Sequence, residues 1–169
     1  ECPHLCRRAT GISVDQSRSG AVSDGAGIDA LGKPMVGATA AYAIMLRKAA
    51  SDIVLIDANE KRAIAEAQDI THAVPFAAAT DVYAGDYEDL RDAKIVVIAA
   101  GASQKPGETR LMLMEKNASI MRDIISKTAS VNPNVLFLVA TNPVDIITNI
   151  CVNIAKEFGQ ACDRGIAFS

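Results

Sequence analysis

The sequence predicts an α/β fold, a doubly wound parallel sheet, and two observations carry that prediction. Short apolar runs at residues 52–57, 95–99 and 135–140, the second of them β-branched, alternate with longer stretches of helical period, and each run ends in a loop of polar or glycine residues. Such loops fall at the carboxyl ends of the strands, where open α/β sheets bind their ligands.

Composition sets the outer bounds. The 169 residues suffice for one domain with a core, and 50% hydrophobic with 22% charged residues is ordinary for a globular protein. The net charge of −3 comes from 17 basic and 20 acidic residues that are interspersed, so no nucleic-acid partner is expected. No apolar run reaches the roughly 18 residues that span a bilayer, and the N-terminus has neither an apolar signal core nor a methionine. A cytoplasmic protein without a membrane partner, represented by a fragment, is the expectation.

Cys2, Cys6, Cys151 and Cys162 are too few and too scattered for a disulfide framework, so reduced thiols are expected. Cys2-Pro-His-Leu-Cys6 sets His4 between two thiols, but no second ligand cluster follows at finger spacing. A loose tail with no metal is the expectation there.

In chain order, residues 1–35 read as a poorly structured N-terminal segment. Residues 7–27 are rich in Ser, Gly, Ala and Asp and lack periodicity. Gly25-Ala-Gly27-Ile-Asp-Ala30 fits a loose dinucleotide pattern, yet no hydrophobic strand precedes it, so it reads as a decoy. From Val36 the pattern changes. Ala38, Ala41, Tyr42, Met45 and Ala49 follow helical spacing, and small residues crowd the first turn, where a helix approaches a sheet and can present free N–H groups to a pyrophosphate.

Residues 52–57 read as a buried strand ending in Asp57, about 20 residues after Gly37, the separation of a ribose-binding carboxylate. A helix cap is the alternative, and the preceding glycine helix favours the ribose role. Asn59 can cap a helix to His72 with Ala63, Ala67 and Ile70 on one face. His72 has no locally spaced carboxylate or nucleophile to make it a base. Residues 80–84 read as a short strand and 87–90 as a turn of helix.

The strand at 95–99 runs into Gly101 and then a loop carrying Lys105, Glu108 and Arg110, a candidate site by its position. Thr109 can cap a helix to about Ser130 with Leu113, Ile120, Met121, Ile124 and Ile125 on one face. Met112, Met114 and Met121 read as core filling, and the sequon Asn117-Ala-Ser119 is set aside because it falls inside a helix. After Pro133 comes the strand at 135–140, whose end Thr141-Asn-Pro143 brings a second polar group to the same crevice. Residues 144–158 read as a helix with Ile147, Ile150, Cys151, Ile154 and Phe158 inward, and 159–169 as an indistinct tail.

Val36-Gly-Ala-Thr-Ala-Ala-Tyr42, Val54-Leu-Ile-Asp57, Ala100-Gly-Ala-Ser-Gln-Lys-Pro-Gly-Glu-Thr-Arg110 and Thr141-Asn-Pro-Val-Asp145 together resemble the nucleotide-binding half of the lactate and malate dehydrogenase family. The resemblance covers residues 36–158, taken as a dinucleotide-binding domain of Rossmann type. It implies NAD as cofactor and hydride transfer between a 2-hydroxy acid and a 2-oxo acid. It also implies that Arg110 polarises the substrate carbonyl and that Asn142 lies beside that carbonyl. Asp57 then binds the ribose, and Gly32, Gly37, Ala100, Gly101 and Thr141 line the cofactor. Gln104 falls where malate enzymes generally carry arginine. A neutral Gln leaves the second carboxylate of oxaloacetate unpaired, so pyruvate and lactate fit better. A homo-oligomer is expected of the complete enzyme.

Two departures qualify this expectation. The glycine motif reads Gly32-Lys-Pro34-Met-Val-Gly37, so proline stands where the backbone would approach the pyrophosphate. Residues 27–31 are a poor apolar strand, so the first, central strand of the sheet is expected to be degenerate or missing. The family's later half, with its catalytic histidine and substrate-binding arginine, has no counterpart, and residues 159–169 are taken as a truncated tail with the substrate domain absent. Weak or absent NADH binding and negligible turnover are expected of this chain alone. An L-lactate-type oxidoreductase is the favoured reading. A malate-type enzyme, a non-catalytic NAD-binding module and a non-binding remnant are the alternatives.

Overall fold

The β-branched runs expected from the sequence form β2 (Asp52–Asp57) and β4 (Ile95–Ala99). With β1 (Gly11–Val14), β3 (Asp81–Ala84), β5 (Leu136–Val139) and β6 (Gly165–Ala167) they make one parallel sheet in the order β3-β2-β1-β4-β5-β6. The structure, a computed structural model, describes residues 11–14, 36–76, 80–102, 107, 109–159 and 165–167. The helices are α1 (Val36–Leu46), α2 (Glu60–Ala73), α3 (Arg110–Val131) and α4 (Val144–Glu157), with 3₁₀ turns at Val74–Phe76 and Tyr87–Asp92.

Strand side chains alternate between two faces, and the burial follows that period. Ile53, Leu55 and Val97 bury with Ala41 and Met45 of α1 and Ala67 and Ile70 of α2. Val54, Ile56, Val96 and Ile98 bury on the other face with Met121, Ile124 and Ile125 of α3 and Ile147 and Ile154 of α4. Helices on both faces explain why β2 and β4 are apolar throughout rather than alternating.

The largest correction concerns the centre of the sheet, which is not empty. Every residue of β1 has a register partner on β2 and another on β4, from Gly11 opposite Val54 and Val96 to Val14 opposite Asp57 and Ala99. The strand comes from within the stretch read as loop, because Gly-Ile-Ser-Val is too short to show a period. What selects it is tertiary. The inner edges of β2 and β4 leave unpaired backbone groups, and each ladder bond returns a net ~1 kcal/mol. Residues 27–31, expected to occupy this place, lie outside the described residues, as do Cys2, His4, Cys6, Cys162 and the decoy at 25–30. The sheet also takes in β6, from the stretch read as an indistinct tail, which pairs with β5.

Local signals set the helix starts. Asn59 caps α2, its side chain accepting from the Arg62 N–H at 3.4 Å, and Thr109 Oγ1 accepts from the Met112 N–H at 3.3 Å at the start of α3. Such caps contribute about 1 kcal/mol each. Ala63, Ala67 and Ile70 are buried as the spacing predicts, whereas Tyr42, Ala49, Met112 and Phe158 are exposed against expectation. Ala49 lies beyond the end of α1 and Phe158 beyond the end of α4, so helical period no longer orients them. Met112 stands in the first turn of α3, which has no buried residue and carries Leu111 to the surface as well. Buried Asn132 stops α3 and ties the preceding connection in place, its Nδ2 donating to Leu90 O at 2.9 Å and Ala93 O at 2.8 Å.

Cys151 is buried under the sheet on α4, and burial pushes its thiol up to about 12. Thiolate is the reactive form, so Cys151 is inert in the folded protein. Peptide mass spectrometry after treatment with a thiol reagent at pH 8 should find Cys151 unmodified without denaturant and modified with it.

Candidate functional site

The carboxyl ends of β2, β1, β4 and β5 form one rim of the sheet. Asp57 and Ala99 share Val14 as register partner, so they stand two strand spacings apart, about 10 Å. The β5 end follows one strand further along, through the Ile98–Val139 pair.

At the β2 end, Asp57 has a side chain 1% exposed, with both oxygens engaged. Oδ1 accepts from the Asn59 N–H at 2.8 Å, and Oδ2 accepts from Arg62 Nε at 2.7 Å, with Arg62 Nη2 at 2.6 Å from the same oxygen. Beside it opens a cleft of about 500 Å³ lined by Ile56, Asp57, Glu60, Ala63, Ile64, Ala84, Gly85, Asp86, Tyr87 and Asp89. Gly85 is required there, since an added Cβ would overlap Asp89 Oδ2 and come within 2.8 Å of Val54 Cγ1. Asp89 in turn holds the turn by accepting from the Asp86 N–H at 3.0 Å. Burial, with Asp123 adding to it, pushes the Tyr87 phenol up to about 12, and Lys127 Nζ stands 5.4 Å from the ring centroid. Tyr87 therefore borders the cleft as a neutral hydrogen-bonding group at ordinary pH.

At the β4 end the backbone turns at Ala100, Gly101 and Ala102. Thr141 Oγ1 donates to Ala100 O at 2.7 Å, which ties the end of β5 to the end of β4. A Cβ on Gly101 would stand 2.9 Å from Thr141 Cγ2, so only glycine lets the two ends close. Ala102 N–H donates to Asn117 Oδ1 at 2.7 Å, anchoring the turn to α3. Arg110 is the first residue of α3 and exposed, and Asn142 is exposed after Thr141. A cation at a helix N-terminus opposes the dipole, so helix stability gives no reason for Arg110 to be there.

The sequence profile of the lactate/malate dehydrogenase NAD-binding domain matches residues 27–161. The chain belongs to that family. It is 50% identical over 125 residues to the L-lactate dehydrogenase of Chloroherpeton thalassium, covering 74% of this chain and 41% of that protein. A crystal structure of the minor L-lactate dehydrogenase of Enterococcus mundtii superposes with a TM-score of 0.75 and 32% identity, over 95% of this chain and 45% of that one. The malate dehydrogenase of Archaeoglobus fulgidus in complex with NADH gives a TM-score of 0.65 and 37% identity, over 71% and 42%. This chain thus spans less than half the length of these relatives.

In this lactate/malate dehydrogenase domain, the structure brings Asp57, Ala100, Gly101, Thr141 and Asn142 to one rim, with Arg110 at the start of the helix that leaves it. Gly37 is buried in the first turn of α1. Gly32, Pro34 and Gln104 lie outside the described residues. Among the described residues no group of three His, Cys, Asp or Glu side chains is arranged to hold a metal, and no helix is long and apolar enough to cross a membrane. His72 is exposed on α2, away from the rim.

Sequence reasoning missed two residues. Asn117 was set aside as an unused sequon, yet it is 1% exposed and braces the turn at Gly101. Its spacing with Met121, Ile124 and Thr128 is the signal, a polar side chain on the buried face of a helix. Arg62 carried no such signal, because a cation on the polar side of α2 is ordinary until its carboxylate partner is seen.

Proposed function

We propose that this domain binds NAD in an L-lactate dehydrogenase that reduces pyruvate to lactate and runs the reverse reaction. The single observation that carries the reading is the rim itself. A cleft with both apolar and acidic walls next to a strand-end carboxylate, a glycine turn about 10 Å away and a cationic helix start follow one another along parallel strands, the layout that takes a dinucleotide across a sheet. The residues at the β2 end fit the adenosine half. Asp57 Oδ1 keeps a lone pair for a ribose hydroxyl, and the cleft offers apolar walls for a base.

NAD supplies the hydride chemistry when bound, and the protein's residues arrange it. Gly101, fixed by Thr141 and Asn117, lets the backbone pass close to the cofactor. Ala100 and Thr141 form the floor beside it, while Gly37 in the first turn of α1 and Gly32 before it serve the pyrophosphate. Arg110, at the start of α3, polarises the carbonyl that accepts the hydride, and Asn142 donates to the same oxygen. Gln104 is neutral and does not itself pair with a second carboxylate, which favours pyruvate over oxaloacetate. The relatives named L-lactate dehydrogenase support this choice. We place the protein in the cytoplasm, as a homo-oligomer.

The test uses the full-length protein that carries this domain. NADH oxidation should be faster with pyruvate than with oxaloacetate, and Gln104→Arg should shift the ratio of kcat/KM towards oxaloacetate by at least about tenfold, since an unpaired charge in a closed site costs several kcal/mol. An unchanged ratio removes Gln104 from its role.

A further inference from the structure

Among the described residues that line the cleft beside Asp57, the aromatic one is Tyr87, and its ring is held from behind. Tyr87 opens the 3₁₀ turn Tyr87–Asp92, whose start is capped reciprocally. The Glu88 N–H donates to Asp86 Oδ1 at 2.8 Å, and the Asp86 N–H donates to Asp89 Oδ2 at 3.0 Å. That box fixes the Tyr87 backbone but not its ring. The side chain is half-buried and packs against the core cluster on the α3 and α4 face. From α3, Lys127 sets its Nζ over the ring, 5.4 Å from the centroid, within the reach of a cation–π contact.

Lys127 is itself aimed. Its Nζ lies 2.7 Å from Asp123 Oδ2, one helical turn back, with the two side chains 51% and 44% exposed. Exposed pairs of this kind add little to stability, but this one holds the ammonium over the ring. Asp123 also stands close enough to Tyr87 to add to burial in pushing the phenol up. Lys127 is not among the residues that line the cleft, so its contact with a ligand there runs through the ring.

We infer that Lys127 is a positioning residue for the adenosine half of the nucleotide, holding the Tyr87 ring as the wall against which the base packs. The inference rests on the reading that this cleft takes adenosine. Without the cation, Tyr87 keeps its backbone place but its ring turns more freely about χ1 and χ2. Ordering it again when the base arrives then costs affinity.

The experiment uses the full-length protein that carries this domain, with Lys127→Met, Lys127→Arg, Tyr87→Leu and Tyr87→Leu/Lys127→Met. NADH affinity is read by cofactor fluorescence, and that of ADP-ribose, which has the adenosine half without the nicotinamide, by competition. Lys127→Met should weaken both ligands about three- to fivefold, the size of one exposed cation–π contact. KM for NADH should rise by as much, while kcat with pyruvate at saturating NADH stays within about twofold. Lys127→Arg should stay within about twofold of the wild type, since a guanidinium also sits over aromatic faces. With Tyr87→Leu already in place, Lys127→Met should add nothing. Unchanged affinity in Lys127→Met, or an equal loss with and without the ring, overturns the inference and leaves the nucleotide site standing. Circular dichroism checks each fold. Lys127 is exposed, so its variants keep the fold; if Tyr87→Leu does not, the arginine variant decides, and a loss equal to that of methionine overturns the inference. Folded wild-type protein that binds neither ligand overturns the nucleotide reading, and this inference with it.

Discussion

Arg110→Gln in the full-length enzyme should lower kcat/KM for pyruvate by about 10²–10³-fold, the usual cost of removing one charge-stabilising donor from an acyl or carbonyl site. Two controls separate this from damage to the fold. Arg110 is exposed at the first position of α3 and packs into neither core cluster, so NADH affinity should stay within about twofold of wild type. Thermal stability should hold or rise slightly, because the variant removes a cation from the positive end of a 22-residue helix, a placement that costs about 0.3–1 kcal/mol. Steady-state kinetics with pyruvate and NADH, set beside a thermal melt, check all three. A variant that keeps its turnover assigns Arg110 no part in catalysis. Lysine at this position should restore only part of the rate, since an ammonium lacks the planar fork that holds a carbonyl oxygen in one geometry.

Phe137→Ala should destabilise the protein by about 3–5 kcal/mol. Phe137 lies on β5 in the larger core cluster, among the side chains of β4, α3 and α4, and is 5% exposed. Truncating it removes apolar contact and leaves a cavity that rigid helices on that face cannot close. A domain of ordinary stability has about 5–15 kcal/mol in total, so the loss should be visible as an early midpoint in urea. Phe158→Ala provides the contrast. Phe158 was expected inward from its spacing but is 42% exposed beyond the end of α4, and its truncation should cost about 1 kcal/mol or less. Equal midpoints for the two variants would mean that the core does not centre on the β4–β5 face.

The residues at the sheet rim were placed there by signals of two kinds. Asp57, Gly101 and Thr141 follow directly from strand ends, and strand ends were legible because β2, β4 and β5 are apolar runs bounded by breakers. Asn117 and Arg62 were not legible, because their roles are defined by partners. Asn117 meets the Ala102 N–H from 15 positions along the chain, and only the docking of α3 beside the β4 turn gives a buried asparagine its purpose. Arg62 is close in sequence to Asp57, yet whether a lysine or arginine at that spacing reaches the carboxylate depends on the angle at which α2 leaves β2. The Asn59 cap sets that angle.

By itself the sequence determined the class of fold, helices α1 to α4 and the strands at Asp52–Asp57, Ile95–Ala99 and Leu136–Val139, since each helix carries its own period and each of these strands its own apolar run. It also determined the family, through four motifs at strand ends. The tertiary structure alone decided that Gly11–Val14 is the central strand and Gly165–Ala167 an outer one. Gly-Ile-Ser-Val and Gly-Ile-Ala have too little local apolar signal to be told from loop, and they pair because neighbouring strands present unpaired backbone groups for them to satisfy. The same holds for the cleft at Asp57. Its carboxylate was legible, but its engagement by Arg62 and its acidic surroundings arise only where β2, α2 and the turn after β3 meet.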